Sequence, residues 1–78
     1  MITNDVKLSR RWTGSIYIPQ RFRCSVYEDH GVFVVRTNYY FATEAAAVAH
    51  GEKNAWITRG GYAVFDRKHR RYVRRVTP

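Results

Sequence analysis

Apolar and polar side chains alternate from Arg21 to Phe41, RFRCSVYEDHGVFVVRTNYYF, with the period of a half-buried strand. Phe22, Cys24 and Val26 fall on one face, and Arg21, Arg23, Ser25 and Tyr27 fall on the other. Glu28-Asp29-His30-Gly31 carries turn chemistry, because Asp caps turns and Gly takes positive φ without a steric penalty. The segment predicts a β-hairpin in which Tyr27 pairs with Val32, Val26 faces Phe33, Cys24 faces Val35 and Phe22 faces Thr37. The apolar groups then share one side, while Arg21, Arg23, Tyr27, Arg36 and Asn38 share the other. A slip of one residue would set Arg36 and Asn38 beside Phe22 and Cys24, which burial opposes.

Upstream, Trp12, Gly14, Ile16 and Ile18 alternate with Thr13, Ser15 and Tyr17, which predicts a strand that Pro19 ends. The short Pro19-Gln20 connection makes this strand an antiparallel neighbour of the hairpin, completing a meander of three strands. Met1 to Ser9 has no periodicity, so residues 1–11 are expected to form a flexible N-terminal arm.

After Phe41 the period changes. Thr43 can serve as N-cap, Glu44 suits the positive end of a helix dipole, and Ala45 to Ala49 are helix formers apart from Val48. A helical wheel groups Ala45, Val48, Ala49 and Trp56 on the face toward the sheet. Gly51 either caps a helix that ends near His50 or lies inside one that runs to about Ile57. The longer helix is favoured because it buries Trp56, although it places Glu52 on the same face.

Arg59-Gly60-Gly61 reads as a breaker. Tyr62 to Phe65 reads as a strand with either Tyr62 and Val64 or Ala63 and Phe65 inward, Asp66 to Arg70 as a charged turn, and Arg71 to Val76 as a further strand. The expected fold class is α+β: an antiparallel sheet, a three-stranded meander plus one or two C-terminal strands, with one α-helix packed on one face in the order βββαβ(β).

With 78 residues, 45% of them hydrophobic and 15% aromatic, the chain is expected to form a single small globular domain. A formal net charge of +8 favours polyanionic partners such as nucleic acid or an acidic protein surface. Eleven of the 14 basic residues are Arg, whose planar fork suits phosphates, carboxylates and base edges. Cys24 is the only cysteine, which excludes an internal disulfide and fits a buried small hydrophobe in a reducing compartment. There is no apolar run long enough to cross a membrane and no signal-peptide core, so a cytoplasmic location is expected.

His30, His50 and His69 have no metal-site spacing, and Gly60-Gly61 matches no phosphate-cradling loop. The expectation is a non-enzymatic protein without cofactor or metal. Ser15, Tyr17, Arg21, Arg23, Tyr27, Arg36, Asn38 and Tyr40 are predicted to project from the sheet opposite the helix. Arg pairs with phosphate or guanine, Asn with adenine, and Tyr stacks on exposed bases. Arg67, Lys68, Arg70, Arg71, Arg74 and Arg75 add a C-terminal cluster denser than edge-strand protection requires. Nucleic acid, DNA before RNA, is the leading partner. The alternative is an acidic protein surface, since Arg and aromatic residues are also enriched in protein interfaces.

Three strands followed by a helix that begins at Phe41-Ala42-Thr43-Glu44-Ala45-Ala46 resemble the small three-stranded DNA-binding domains of phage integrase arm regions and AP2-type factors. That resemblance covers roughly Trp12 to Ile57 and implies a sheet in the major groove, with Arg21, Arg23 and Arg36 at the contact. The Tyr40 to Val64 region is also similar to small phage proteins that inhibit host machinery, such as the RNA polymerase inhibitor of T7-like phages and compact anti-CRISPR proteins. This second likeness implies an inhibitor or adaptor that docks on a host protein in the cytoplasm of a bacterial or phage-infected cell. On the sheet-face reading, Arg21→Ala with Arg23→Ala weakens binding and leaves the thermal midpoint nearly unchanged.

Overall fold

The computed structural model describes residues 1–6 and 20–77, and within these the side chains other than those of Val6 and residues 55–59. Phe22–Asp29 and Val34–Phe41 form the expected hairpin, and these strands are here β2 and β3, after a first strand β1 at Ile2–Val6. A helix, α1, follows at Glu44–Thr58, then strands β4 at Arg59–Asp66 and β5 at Arg71–Val76. The architecture is α+β, and the described residues form one helix on a five-stranded sheet whose spatial order is β1-β3-β2-β4-β5.

The sheet is mixed, because β1 runs parallel to β3 while the other pairings are antiparallel. Two expectations are thereby corrected. Ile2–Val6 is an edge strand and not part of a loose arm. The sheet is not a meander, since both edges of β2 are taken, by β3 and β4. The expected strand Trp12 to Ile18, with Ser15 and Tyr17, lies outside the described residues.

The hairpin keeps its predicted faces and changes its register. Phe22 meets Phe41 instead of Thr37, Cys24 meets Tyr39 instead of Val35, and Tyr27 meets Arg36 instead of Val32. The displacement is even along the chain, so the face of every residue survives it. Its cause is the turn, which sits at His30–Phe33 and not at Glu28–Gly31. His30 N–H donates to the Phe33 carbonyl at 2.9 Å, Gly31 adopts φ 83°, and Gly31 N–H donates to Asp29 Oδ1 at 2.9 Å. Asp29 thus works as a turn residue from the last strand position, where its side chain mimics a backbone acceptor.

Phe22, Cys24 and Val26 from β2, Tyr62 and Val64 from β4, and Ala47 from α1 form the core. The choice left open for β4 falls to Tyr62 and Val64. Burial pushes the Cys24 thiol up to about 11, as for an apolar site with no cation nearby.

The helix is the long form, and Thr43 caps it through Oγ1 to Ala46 N–H at 3.2 Å. Its buried stripe differs from the wheel: Ala47 and Gly51 are buried, whereas Ala45 and Ala49 are exposed. A run of Ala carries almost no directional information, and Gly51 decides the orientation. A Cβ at Gly51 would overlap the ring of Tyr62, which is 3% exposed and lies directly beneath the helix. Glu52, expected on the buried face, is exposed and pairs with Arg74 at 3.2 Å.

The helix stops at Thr58, where Arg59-Gly60-Gly61 breaks it, but these residues open β4 with no intervening loop. At Gly60 a Cβ would strike the Tyr27 carbonyl, close to the irregularity between Val26 and Glu28 on β2. The glycine is there to let two backbones approach, as at other bulges.

Helix propensity alone favours Gly51→Ala by about 1 kcal/mol, but the buried ring reverses the sign. Overpacking at a site with no free space costs about 1–3 kcal/mol. Urea unfolding of Gly51→Ala is expected to show a lower midpoint, and a raised midpoint would mean that the Tyr62 ring is free to move aside.

Candidate nucleic-acid interface

β4 ends on Asp66, in register with buried Tyr62 and Val64, and this residue is only 2% exposed. A carboxylate so placed needs partners for both oxygens. Arg21 supplies two, with Nε donating to Oδ1 at 2.9 Å and Nη2 to Oδ2 at 2.7 Å. The amides of Lys68 and His69 donate to Oδ1 at 3.0 and 3.4 Å, and His69 Nδ1 lies 2.8 Å from Oδ2. Hydrogen bonding from Arg21, then from the His69 ring and the two amides, holds the Asp66 carboxyl far below the usual range despite desolvation. The same pairing raises Arg21 above the ordinary arginine value.

Arg21 Nη2 also stands 3.0 Å from His69 Nδ1. A guanidinium only donates, so Nδ1 cannot both accept from Arg21 and donate to Asp66. We assign the proton to Nδ1, facing the carboxylate, which can only accept.

Arg21, expected on the free outer face, is therefore turned to Asp66 and clamps the start of β2 to the β4–β5 turn. The other outer-face candidates stay together. Register puts Arg23, Ser25 and Tyr27 of β2 beside Arg36, Asn38 and Tyr40 of β3, opposite the core residues. The centre of that face is closed. Ser25 and Asn38 are buried; Ser25 donates to Asn38 Oδ1 at 2.6 Å, and Asn38 Nδ2 donates to Asp5 Oδ1 at 2.8 Å. Tyr40 donates to the same Asp5 oxygen at 2.9 Å.

These bonds hold the Asp5 carboxyl below its ordinary value, Asn38 contributing most. Burial, then the bond to Asp5, raises the Tyr40 hydroxyl. Asp5 is not legible as a site residue in the sequence, because only the pairing of β1 with β3 brings an acid onto this face.

Arginines and rings alternate around this centre. The Arg23 guanidinium lies 4.9 Å from the Phe65 ring centre, Arg67 lies 5.2 Å from Tyr40, and Arg75 lies 4.7 Å from Tyr72. Arg23 Nε and Arg36 Nε are buried without a hydrogen-bond acceptor. Tyr27, Arg23, Arg36 and Tyr40 are all half-buried.

The C-terminal cluster is the open part. Arg67, Lys68, Arg70, Arg71, Arg74 and Arg75 are all exposed on the turn and on edge strand β5. Arg74 is occupied, donating from Nε to the Tyr62 hydroxyl at 2.7 Å and from Nη2 to Glu52 at 3.2 Å. The other five cations have no carboxylate partner among the described residues. Arg70 adopts φ 53°, a left-handed conformation that glycine or asparagine takes more readily.

His50 packs against the rings of Tyr39 and Phe41 at 4.2 and 5.1 Å. Burial, with Lys53 nearby, lowers its basicity. Among the described residues no group of three or more His, Cys, Asp or Glu is placed to hold a metal ion. Nor is any described helix long and apolar enough to cross a membrane. Comparison with protein-family models, with curated proteins and with solved structures finds no match for the chain.

Two outcomes follow from the Asp66 cluster. Arg21→Ala should lower the thermal midpoint more than Arg23→Ala, because it strands a buried carboxylate; equal midpoints would refute the clamp. Asp66 has a depressed pKa in the folded state, so its stabilisation is complete above the ordinary value of 3.8 and is lost progressively as pH falls below it. Asp66→Asn should start from a lower midpoint and lose less of it on acidification across that range, and an acid dependence unchanged from the parent chain would contradict this.

Proposed function

We propose that the chain is a non-enzymatic nucleic-acid-binding protein whose principal contact is the cationic β4–β5 hairpin. The observation that carries this reading is the set Arg67, Lys68, Arg70, Arg71 and Arg75, exposed and without carboxylate partners among the described residues. Arg70 strengthens it, since a strained backbone position that retains a bulky cation favours a use for the cation. The likeness to three-stranded DNA-binding sheets puts the contact on β2 and β3, but Asn38 and Tyr40 there are engaged with Asp5, and Arg21 with Asp66. The hairpin, with Arg23 over its Phe65 ring, meets fewer internal demands.

A second reading, an inhibitor or adaptor for a host protein, draws support from β5 as an open edge with Tyr72 and Val76 exposed at 42% and 37%. Such an edge accepts an extended strand from a partner. A discrete protein recovered from nuclease-treated bacterial lysate, released by Tyr72→Ala, would favour it over the first.

Titration of duplex DNA across a range of salt tests the leading reading. If all five cations meet phosphates, log K against log salt has a slope of about −4 to −5. Arg70→Gly should reduce that slope by about 1 without lowering the thermal midpoint. Absence of binding at low salt, or a slope that Arg70→Gly leaves unchanged, would count against the hairpin as the contact.

A further inference from the structure

Beside the Asp66 clamp the surface forms a groove lined by Gln20, Arg21, Arg67 and Lys68. Its cations are held from behind. Arg21 is fixed by Asp66 through Nε and Nη2, which among the described residues leaves both N–H bonds of Nη1 without an acceptor. Arg67 donates from Nη1 to the Gln20 carbonyl at 2.8 Å and lies over the Tyr40 ring, which among the described residues leaves Nε and Nη2 without an acceptor. The Lys68 amide caps Asp66, so the backbone that carries its ammonium is fixed as well. Donors restrained in this way lose little freedom when they take a ligand.

The charge in the groove points to one class of ligand. Asp66 cancels Arg21, and Arg67 and Lys68 have no carboxylate partner among the described residues. That excess of two cations matches a phosphate monoester, which carries about −1.5 to −2 near neutral pH, better than the single charge of a backbone diester. Guanidinium forks also bind phosphate oxygens with directional, charge-assisted hydrogen bonds.

We propose that this groove binds a phosphate monoester. On the nucleic-acid reading, this is the terminal phosphate of a strand whose backbone runs along the β4–β5 hairpin. The protein would then engage strand ends in preference to continuous duplex.

The test uses the full chain with inorganic phosphate and with one oligonucleotide sequence, carrying either a terminal phosphate or hydroxyls at both ends. The phosphorylated strand is expected to bind about tenfold tighter, roughly the worth of one charge-assisted contact. Inorganic phosphate should compete and should shift the NMR signals of Arg21, Arg67 and Lys68. Lys68→Ala, whose side chain supports nothing else described, should shrink the preference while leaving the thermal midpoint in place; Arg67→Ala with Lys68→Ala should abolish it.

Equal binding of the two oligonucleotides, with no response to inorganic phosphate, overturns the groove, and their salt dependence would leave the hairpin reading standing. A response to phosphate without binding of either oligonucleotide supports the groove and overturns the polynucleotide reading. No response to any of the three overturns both.

Discussion

A carboxylate buried at the end of β4 orders the cationic end of the molecule. Asp66 could not stay ionised at 2% exposure without several donors, and those it recruits come from far apart in the chain. Arg21 enters from the start of β2, while His69 and the amides of residues 68 and 69 come from the turn. One ion therefore closes the turn and anchors the head of the central strand. The surrounding repulsion between cations is tolerable because this anion sits at its centre, where the low local dielectric strengthens attraction.

The same logic explains why the middle of the sheet is a poor place for recognition. Asp5, delivered by a parallel edge strand, satisfies Asn38 and Tyr40, and Asn38 satisfies Ser25. Side chains whose chemistry suits base edges are thus spent on holding β1 to β3. Exposed charge and spent hydrogen-bonding capacity are separated on the molecule: the hairpin carries the first and the sheet centre the second.

Alternation identified the hairpin strands, their faces, the helix with its Thr43 cap, and β5 at its observed limits, because each of these follows from local period or local capping. What was not legible depends on partners distant in sequence. The even shift between β2 and β3 leaves every face unchanged, so burial could not detect it. Ile2–Val6 has no pattern of its own and becomes a strand only against β3. The orientation of an Ala-rich helix is set by the contact between Gly51 and Tyr62, not by a stripe. Arg21 carries the alternation of an outer-face residue, yet Asp66 pulls it away from that face through a pairing 45 residues apart.

The passage from α1 straight into β4 has a consequence for how such a chain can change over time. With Thr58 in the helix and Arg59 in the strand, there is no spare residue to absorb an insertion. One added residue would move every β4 side chain to the opposite face, exchanging Tyr62 and Val64 for Ala63 and Phe65 and taking Asp66 away from Arg21. The His30–Phe33 tip, where Val32 is 91% exposed, faces no such constraint. Length variation among descendants of this sequence should therefore collect at the hairpin tip, while the helix–strand junction stays constant in length even as its residues drift.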